Sequence, residues 1–168
     1  MSYPAHWEGD VVLPDGGPVH VRPIRPDDGP RLRAMAARLS PASVYSRFFS
    51  MITLSDRDVT RLTTVDHDDR VALVALVDDE MVGVARYARL DPRTVAEVAL
   101  IIEDAHQGRH LGPALLQRLQ AVARERGVER FCADVLPENR RMVEILLGLA
   151  PDMERHLTGG YLELSWQL

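Results

Sequence analysis

Residues 96 to 112, AEVALIIEDAHQGRHLG, carry the pattern in this chain best suited to chemistry: a carboxylate, Glu97, inside an apolar run, then a turn of Gln107, Gly108, Arg109, His110, Leu111 and Gly112. A strand from Val95 to Ile102 alternates its side chains, so Glu97, Ala99 and Ile101 share one face and Val98, Leu100 and Ile102 the other. Both faces are apolar apart from Glu97. That predicts a central strand in which the carboxylate loses hydration and its pKa rises towards neutrality, where a general base works best. The alternative is a glutamate at the frayed start of the strand that simply reaches water.

The turn leads from this strand directly into a helix expected to begin at Gly112-Pro113. A helix N-terminus offers unpaired N–H groups and the positive end of the helix dipole, and small residues let a phosphate approach them. A pyrophosphate cradle would suit these residues, although glycine also serves turn geometry alone. The spacing is G-x-x-x-G, and the following strand does not end in an acidic ribose ligand, so this is not the dinucleotide fingerprint. His106 and His110 have helical metal-ligand spacing but lack a third ligand, and no metal is expected. Cys132 alternates with apolar neighbours and reads as a core thiol rather than a nucleophile. Tyr45, Phe48 and Phe49 fall at helical spacing and read as core. Asp66, Asp68, Asp69, Asp78, Asp79 and Glu80 read as turn residues, the first three also able to meet a cationic substrate.

These residues need a scaffold, and 168 residues suffice for one domain, 1–168, that buries roughly 70% of the surface of the unfolded chain. A single cysteine allows no internal disulfide. No apolar run approaches the roughly 18 residues of a membrane span, and the N-terminus MSYPAHWEGD has neither the basic start nor the apolar core of a signal peptide, so a cytoplasmic protein is expected. The net charge of −5 is interspersed, without the basic stripe of a nucleic-acid binder. All 20 basic residues are Arg. The lack of Lys excludes Schiff-base chemistry and a Walker lysine.

Along the chain, DVVLPDGGPVHVRPI predicts two short strands around a turn, and Asp27 or Asp28 is placed to cap a helix running to about Leu39. SPASVYSRFF starts another helix with Ser40 as N-cap and Pro41 in the first turn, and a short helix follows from Ser55. VALVALV (71–77), the turn DDE (78–80) and MVGVARYARL (81–90) form an antiparallel hairpin. After the glycine turn come an amphipathic helix ending at Gly127, a strand RFCADVL (130–136), a helix PENRRMVEILLGL (137–149), and a strand pair around Gly159-Gly160. The sum is a mixed α/β (α+β) domain of about seven strands and four helices, mainly antiparallel early with one late strand-helix-strand crossover.

Taken together, AEVALIIEDAHQGRHLGPALLQRLQAVARERG, a strand, and then VLPENRRM resemble the core of the GNAT superfamily of acyl-CoA-dependent N-acyltransferases. That signature is Gln/Arg-x-x-Gly-x-Gly/Ala after the fourth strand and an Asn opening the helix after the fifth. VRPIRPDD, LSPASVYSRFF and DDRVALVAL extend the resemblance to the bacterial protein lysine acetyltransferase (Pat-like) branch, over nearly the whole chain. The resemblance implies a GNAT-like fold with a splayed central strand pair, and acetyl-CoA as acyl donor. It implies that Glu97 deprotonates the attacking amine, directly or through a water. Backbone groups of Leu100, Ile101 and Ile102 would pair with the pantetheine arm. The turn from Gln107, with the amides of Gly108, Arg109, His110, Leu111 and Gly112 and adjoining Pro113 and Ala114, would hold the pyrophosphate, and Asn139 would contact the coenzyme.

Two positions depart from that pattern. His110 stands where the signature has Gly, and Leu146 where the family often places a Tyr as general acid for the departing thiolate. The acid is then absent, supplied by solvent, or another residue such as Tyr161 or Tyr87. The implied acceptor is the ε-amino group of lysine in a partner protein, with an acyl-CoA synthetase as one candidate. Lacking Lys, these 168 residues offer no lysine side chain for self-acetylation, and no room for the regulatory domains some Pat-like enzymes carry. The alternatives are an acetyltransferase for a small amine and a catalytically weak acyl-CoA-binding module.

Overall fold

The computed structural model describes residues 2–42 and 54–168. The strands are β1 (Gly9–Val12), β2 (Pro18–Pro23), β3 (Arg70–Val77), β4 (Glu80–Arg89), β5 (Val95–Ile102), β6 (Arg130–Val135), β7 (Glu154–Thr158) and β8 (Tyr161–Gln167). They form an 8-stranded sheet in the order β1-β2-β3-β4-β5-β6-β8-β7. Every neighbouring pair is antiparallel except β5 and β6, which are parallel because a helical crossover joins them. Among the described residues the helices are α1 (Gly29–Arg38), α2 (Asp56–Thr63), α3 (Leu111–Glu125) and α4 (Arg140–Leu149). None is long and apolar enough to cross a membrane.

Local chemistry explains several of these boundaries. Asp78 and Asp79 both take positive φ (49° and 66°), which lets a two-residue turn match the twist of β3 and β4. Ser55 caps α2 by accepting from the Asp58 N–H, while the Asp58 carboxylate accepts the Ser55 N–H. Gly127, at φ 79°, ends the turn after α3.

Two cores flank the sheet. On one face α3 and α4 cover Val98, Leu100, Ile102, Phe131, Leu164 and their neighbours, and on the other Leu32 and Met35 of α1 meet Ala72, Val74 and Val84. An aromatic row crosses the first core: the Tyr87 ring of β4 lies 5.8 Å from Phe131 of β6, which meets Trp166 of β8 edge-on at 5.9 Å.

Among the described residues one ion pair is fully enclosed. Arg22 of β2 donates through two guanidinium nitrogens to both oxygens of Asp28, at 2.8 and 2.7 Å, and the residues are 3% and 0% exposed. Burial alone would raise the Asp28 pKa, but the Arg22 hydrogen bonds, the Arg25 backbone N–H and the nearby guanidinium charges hold it below the usual carboxylate range. Asp28 therefore precedes α1 without capping it.

His67 is buried beneath the edges of the Tyr3 and Trp7 rings, and among the described residues its Nδ1 has no hydrogen-bond partner. Burial pushes its pKa down, against the pull of the Asp66 carboxylate and with help from the Arg126 charge. Folding thus favours the neutral ring, and the unfolded chain takes up its proton first, near about pH 6.5. Stability contributed by this site is present above that value and lost as pH falls through it. We expect the thermal midpoint to drop more steeply between pH 7 and 5 in the wild type than in His67→Asn, whose side chain tolerates the φ of 61°. Parallel profiles would remove His67 as the cause.

Several expectations from sequence need adjustment. The sheet has eight strands rather than about seven, the shortest being the four-residue edge strand β1. The last long helix starts at Arg140 rather than 137, because Asn139 accepts the Met142 N–H through its side chain and residues 137–139 form the preceding turn. The expected helix SPASVYSRFF, with Tyr45, Phe48 and Phe49, lies from residue 43 onwards outside the described residues. Ser40 itself donates its N–H and hydroxyl to the Asp104 carboxylate.

Candidate active site

The parallel β5–β6 ladder holds three rungs: Val95↔Arg130, Ala96↔Phe131 and Glu97↔Cys132. Beyond Glu97, β5 remains paired to β4 through Ile102, and beyond Cys132, β6 remains paired to β8 through Val135. The two strands therefore part at the Glu97 rung and leave facing backbone edges without a strand between them. The aromatic row Tyr87, Phe131 and Trp166 lies at the closed end, where bulky buried rings hold the strands together.

A cleft of about 650 Å³ fills the opening. Glu97 to Ile102 form one wall, Ala133, Asp134 and Val135 the other, and the turn Gln107, Gly108, His110 to Pro113 meets Asn139, Arg141 and Leu146 of the α4 region at the far end. The sequence-predicted residues thus converge, with two exceptions. Arg109 and Ala114 do not line the cleft. The Arg109 guanidinium donates to Asp15 at 2.7 Å and meets His106 Nδ1 at 2.8 Å, tying the turn to the β1–β2 connection. The Ala114 N–H donates to the His110 carbonyl within the first turn of α3. Gln107 lines the cleft while its side chain donates to the Ile102 carbonyl at 3.0 Å, fixing the turn to the end of β5.

The turn shows why glycine is favoured at position 110. His110 precedes α3 at φ 66° and ψ 16°, in the left-handed region, and Gly108 also has positive φ. Histidine is among the side chains that tolerate this conformation, and β-branched residues are not. Gly112 answers a different need: a Cβ there would lie 3.3 Å from both Ile145 Cδ1 and Leu100 Cδ2, so these side chains would have to give way by a few tenths of an ångström. We expect His110→Val to cost about 1–2 kcal/mol and His110→Gly to be close to neutral in denaturant unfolding. Equal stability of the Val and wild-type proteins would show that the φ is not held.

Glu97 is exposed at the point where the strands part. The expected dehydration within an apolar strand is therefore not produced by the protein's own side chains. Across the parting, Asp134 lies on the same face two residues beyond Cys132, and it pairs in register with Glu163 of β8. Burial and then the Glu163 charge raise the Asp134 pKa. Reading the sequence for acids within apolar runs picks out Glu97; Asp134 follows only from the alternation of β6 once its partner is known.

Cys132 is half-buried, and its thiol pKa is raised to about 11 by burial together with the Glu97, Asp134 and Glu163 charges. It stays protonated and does not act as a nucleophile near neutral pH. Tyr87 is fully buried, its hydroxyl donates to the Asp68 carbonyl, and burial raises its pKa to about 12. Neither Tyr87 nor Tyr161 lines the cleft, so the sequence-based suggestion of either as general acid finds no geometric support. Asp68 and Asp69 form ion pairs with Arg89 and Arg93, which makes them structural. Among the described residues no three His, Cys, Asp or Glu side chains gather into a metal site.

The same architecture recurs in known proteins. The GNAT domain of Streptomyces lividans PAT superposes with a TM-score of 0.94 and 42% identity, covering 99% of this chain and 100% of that one. An acetyltransferase of Pseudomonas aeruginosa is 35% identical over 149 residues, 86% of this chain and 79% of that protein. The acetyltransferase Pat of Mycolicibacterium smegmatis is 32% identical over 130 residues, and the match spans 76% of this chain but 39% of that longer protein. The model of the acetyltransferase (GNAT) family matches residues 40–148, the segment that builds both walls of the cleft and the turn at its end. By sequence and by fold, the chain belongs to the GNAT family of acetyltransferases.

Proposed function

We propose that this acetyltransferase moves an acetyl group from acetyl-CoA to the ε-amino group of lysine in a partner protein, with Glu97 as general base. The observation that carries the reading is the place of Glu97 on the last rung before the strands part, at the head of a cleft that ends in the glycine turn. The cleft fits the coenzyme: the edge of β5 over Leu100, Ile101 and Ile102, of which the Ile102 carbonyl already accepts from Gln107, suits an extended amide-bearing arm, and the turn with Asn139 suits its phosphates. Acetyl-CoA supplies the acetyl group as an activated thioester.

The chain's own residues handle the acceptor. Glu97, Asp134 and Glu163 make the face they share acidic, and a lysine arrives there as ammonium. Glu97 then accepts its proton, directly or through a water, and leaves the neutral amine that attacks the thioester carbonyl; the C–S bond breaks, the CoA thiolate departs, and the remaining amine proton passes to it or to solvent. Covering Glu97 with the acceptor would remove water from it and raise its proton affinity, as the base role requires. Preference for a protein lysine rests on the resemblance to the Pat-like branch, supported by the likeness to the two Pat proteins.

The test combines calorimetry of acetyl-CoA binding with thiol release, using a lysine-bearing acyl-CoA synthetase and a panel of small amines as acceptors. Binding together with turnover on the protein acceptor supports the proposal. Turnover on small amines alone replaces the acceptor, and binding without any turnover replaces the enzyme by an acyl-CoA-binding module.

A further inference from the structure

The far end of the cleft lacks most of the positive charge that the turn might have provided. Gln107 is turned to the Ile102 carbonyl, Arg109 to Asp15, Pro113 has no N–H, and the Ala114 N–H is used within α3. One arginine lines the cleft among the described residues, and it comes from α4: Arg141. Its guanidinium Nη1 lies 3.6 Å from where a Cβ on Gly108 would stand, facing the turn across the cleft. Among the described residues it makes no side-chain hydrogen bond or ion pair, and Glu144, one turn further along α4, does not come within ion-pair distance.

We infer that Arg141 closes the phosphate end of the cleft from the side opposite the turn, its guanidinium gripping the diphosphate of the nucleotide thioester while the turn amides hold it from below. The inference rests on the acetyl-CoA reading above and extends it to a binding residue on a different element. A diphosphate presents adjacent anionic oxygens, and a guanidinium can donate to two of them in parallel. Without Arg141 the ligand's charge would meet amides, the helix dipole and the side chains of Asn139, His106 and His110, with the Asp104 and Glu144 carboxylates lining the same cleft. Arg141 is exposed and has no partner among the described residues, so none of their interactions is given up when the grip forms.

Calorimetry on the full chain tests this with three ligands: acetyl-CoA, 3′-dephospho-acetyl-CoA and S-acetylpantetheine. Arg141→Gln is expected to weaken the first two by about tenfold each and leave the third unchanged, with the melting temperature unaltered because the side chain is exposed. The loss should shrink at high salt. Weakening of acetyl-CoA alone would place Arg141 on the terminal 3′-phosphate and overturn the diphosphate assignment. Unchanged affinity for both nucleotide ligands would overturn the grip altogether. If the wild type binds no acetyl-CoA, the functional reading fails first and takes this inference with it, whereas wild-type binding matched by the variant removes the inference and leaves the reading intact.

Discussion

Glu97→Gln is expected to lower kcat by roughly 10²–10⁴-fold while acetyl-CoA affinity is little changed. The substitution keeps the shape and the strand pairing with Ala88 and Cys132, and removes the negative charge together with the ability to accept a proton. The side chain is exposed at the parting of β5 and β6, so no core contact is lost and the fold should be untouched. In the wild type, kcat/KM should rise with pH through the ionisation of the base, and the variant should lose that limb. Cys132→Ser serves as the control on the neighbouring rung: its thiol stays protonated, and activity should persist. An active Glu97→Gln enzyme with an unchanged pH profile would sink the base assignment.

Asp28→Asn should produce the largest loss of stability. It leaves the Arg22 guanidinium charged and 3% exposed without its counter-charge, an arrangement that costs about 3–5 kcal/mol. For a chain of this length the unfolding midpoint should fall by roughly 10–15 °C. Removing both charges together, with Arg22→Met and Asp28→Leu, should recover much of the loss, since the attraction of the pair is offset by the desolvation of both ions. A single substitution that costs under about 1 kcal/mol would mean that water reaches Arg22.

The sequence discloses local features of the fold well and long-range ones poorly. The β3–β4 hairpin is legible because two apolar runs flank a two-residue acidic turn, and α2 because Ser55 and Asp58 stand three apart before its apolar face. The Arg22–Asp28 pair is not legible, because both residues are of types that normally face water and Asp28 sits where a helix cap is expected. Glu97 and the turn stand out within one continuous stretch. Asp134, Glu163 and Arg141 enter the site only through the β6–β8 register and the docking of α4, and no local spacing ties them to Glu97. For Glu97 the local pattern leaves both a dehydrated and a water-reaching carboxylate open, because an apolar strand implies burial only if both faces are covered, and that is a tertiary matter.

The three-rung junction also has a mechanical meaning. It divides the sheet into a five-strand block, β1 to β5, and a three-strand block, β6 to β8, joined by a short ladder, the aromatic row and the crossover helix α3. Such a joint resembles a clothes peg, firm at its spring and free at its jaws, with one hydrophobic core running beneath both blocks. A molecule held between the jaws fastens the two blocks to each other, and the fold becomes more cooperative as it becomes occupied.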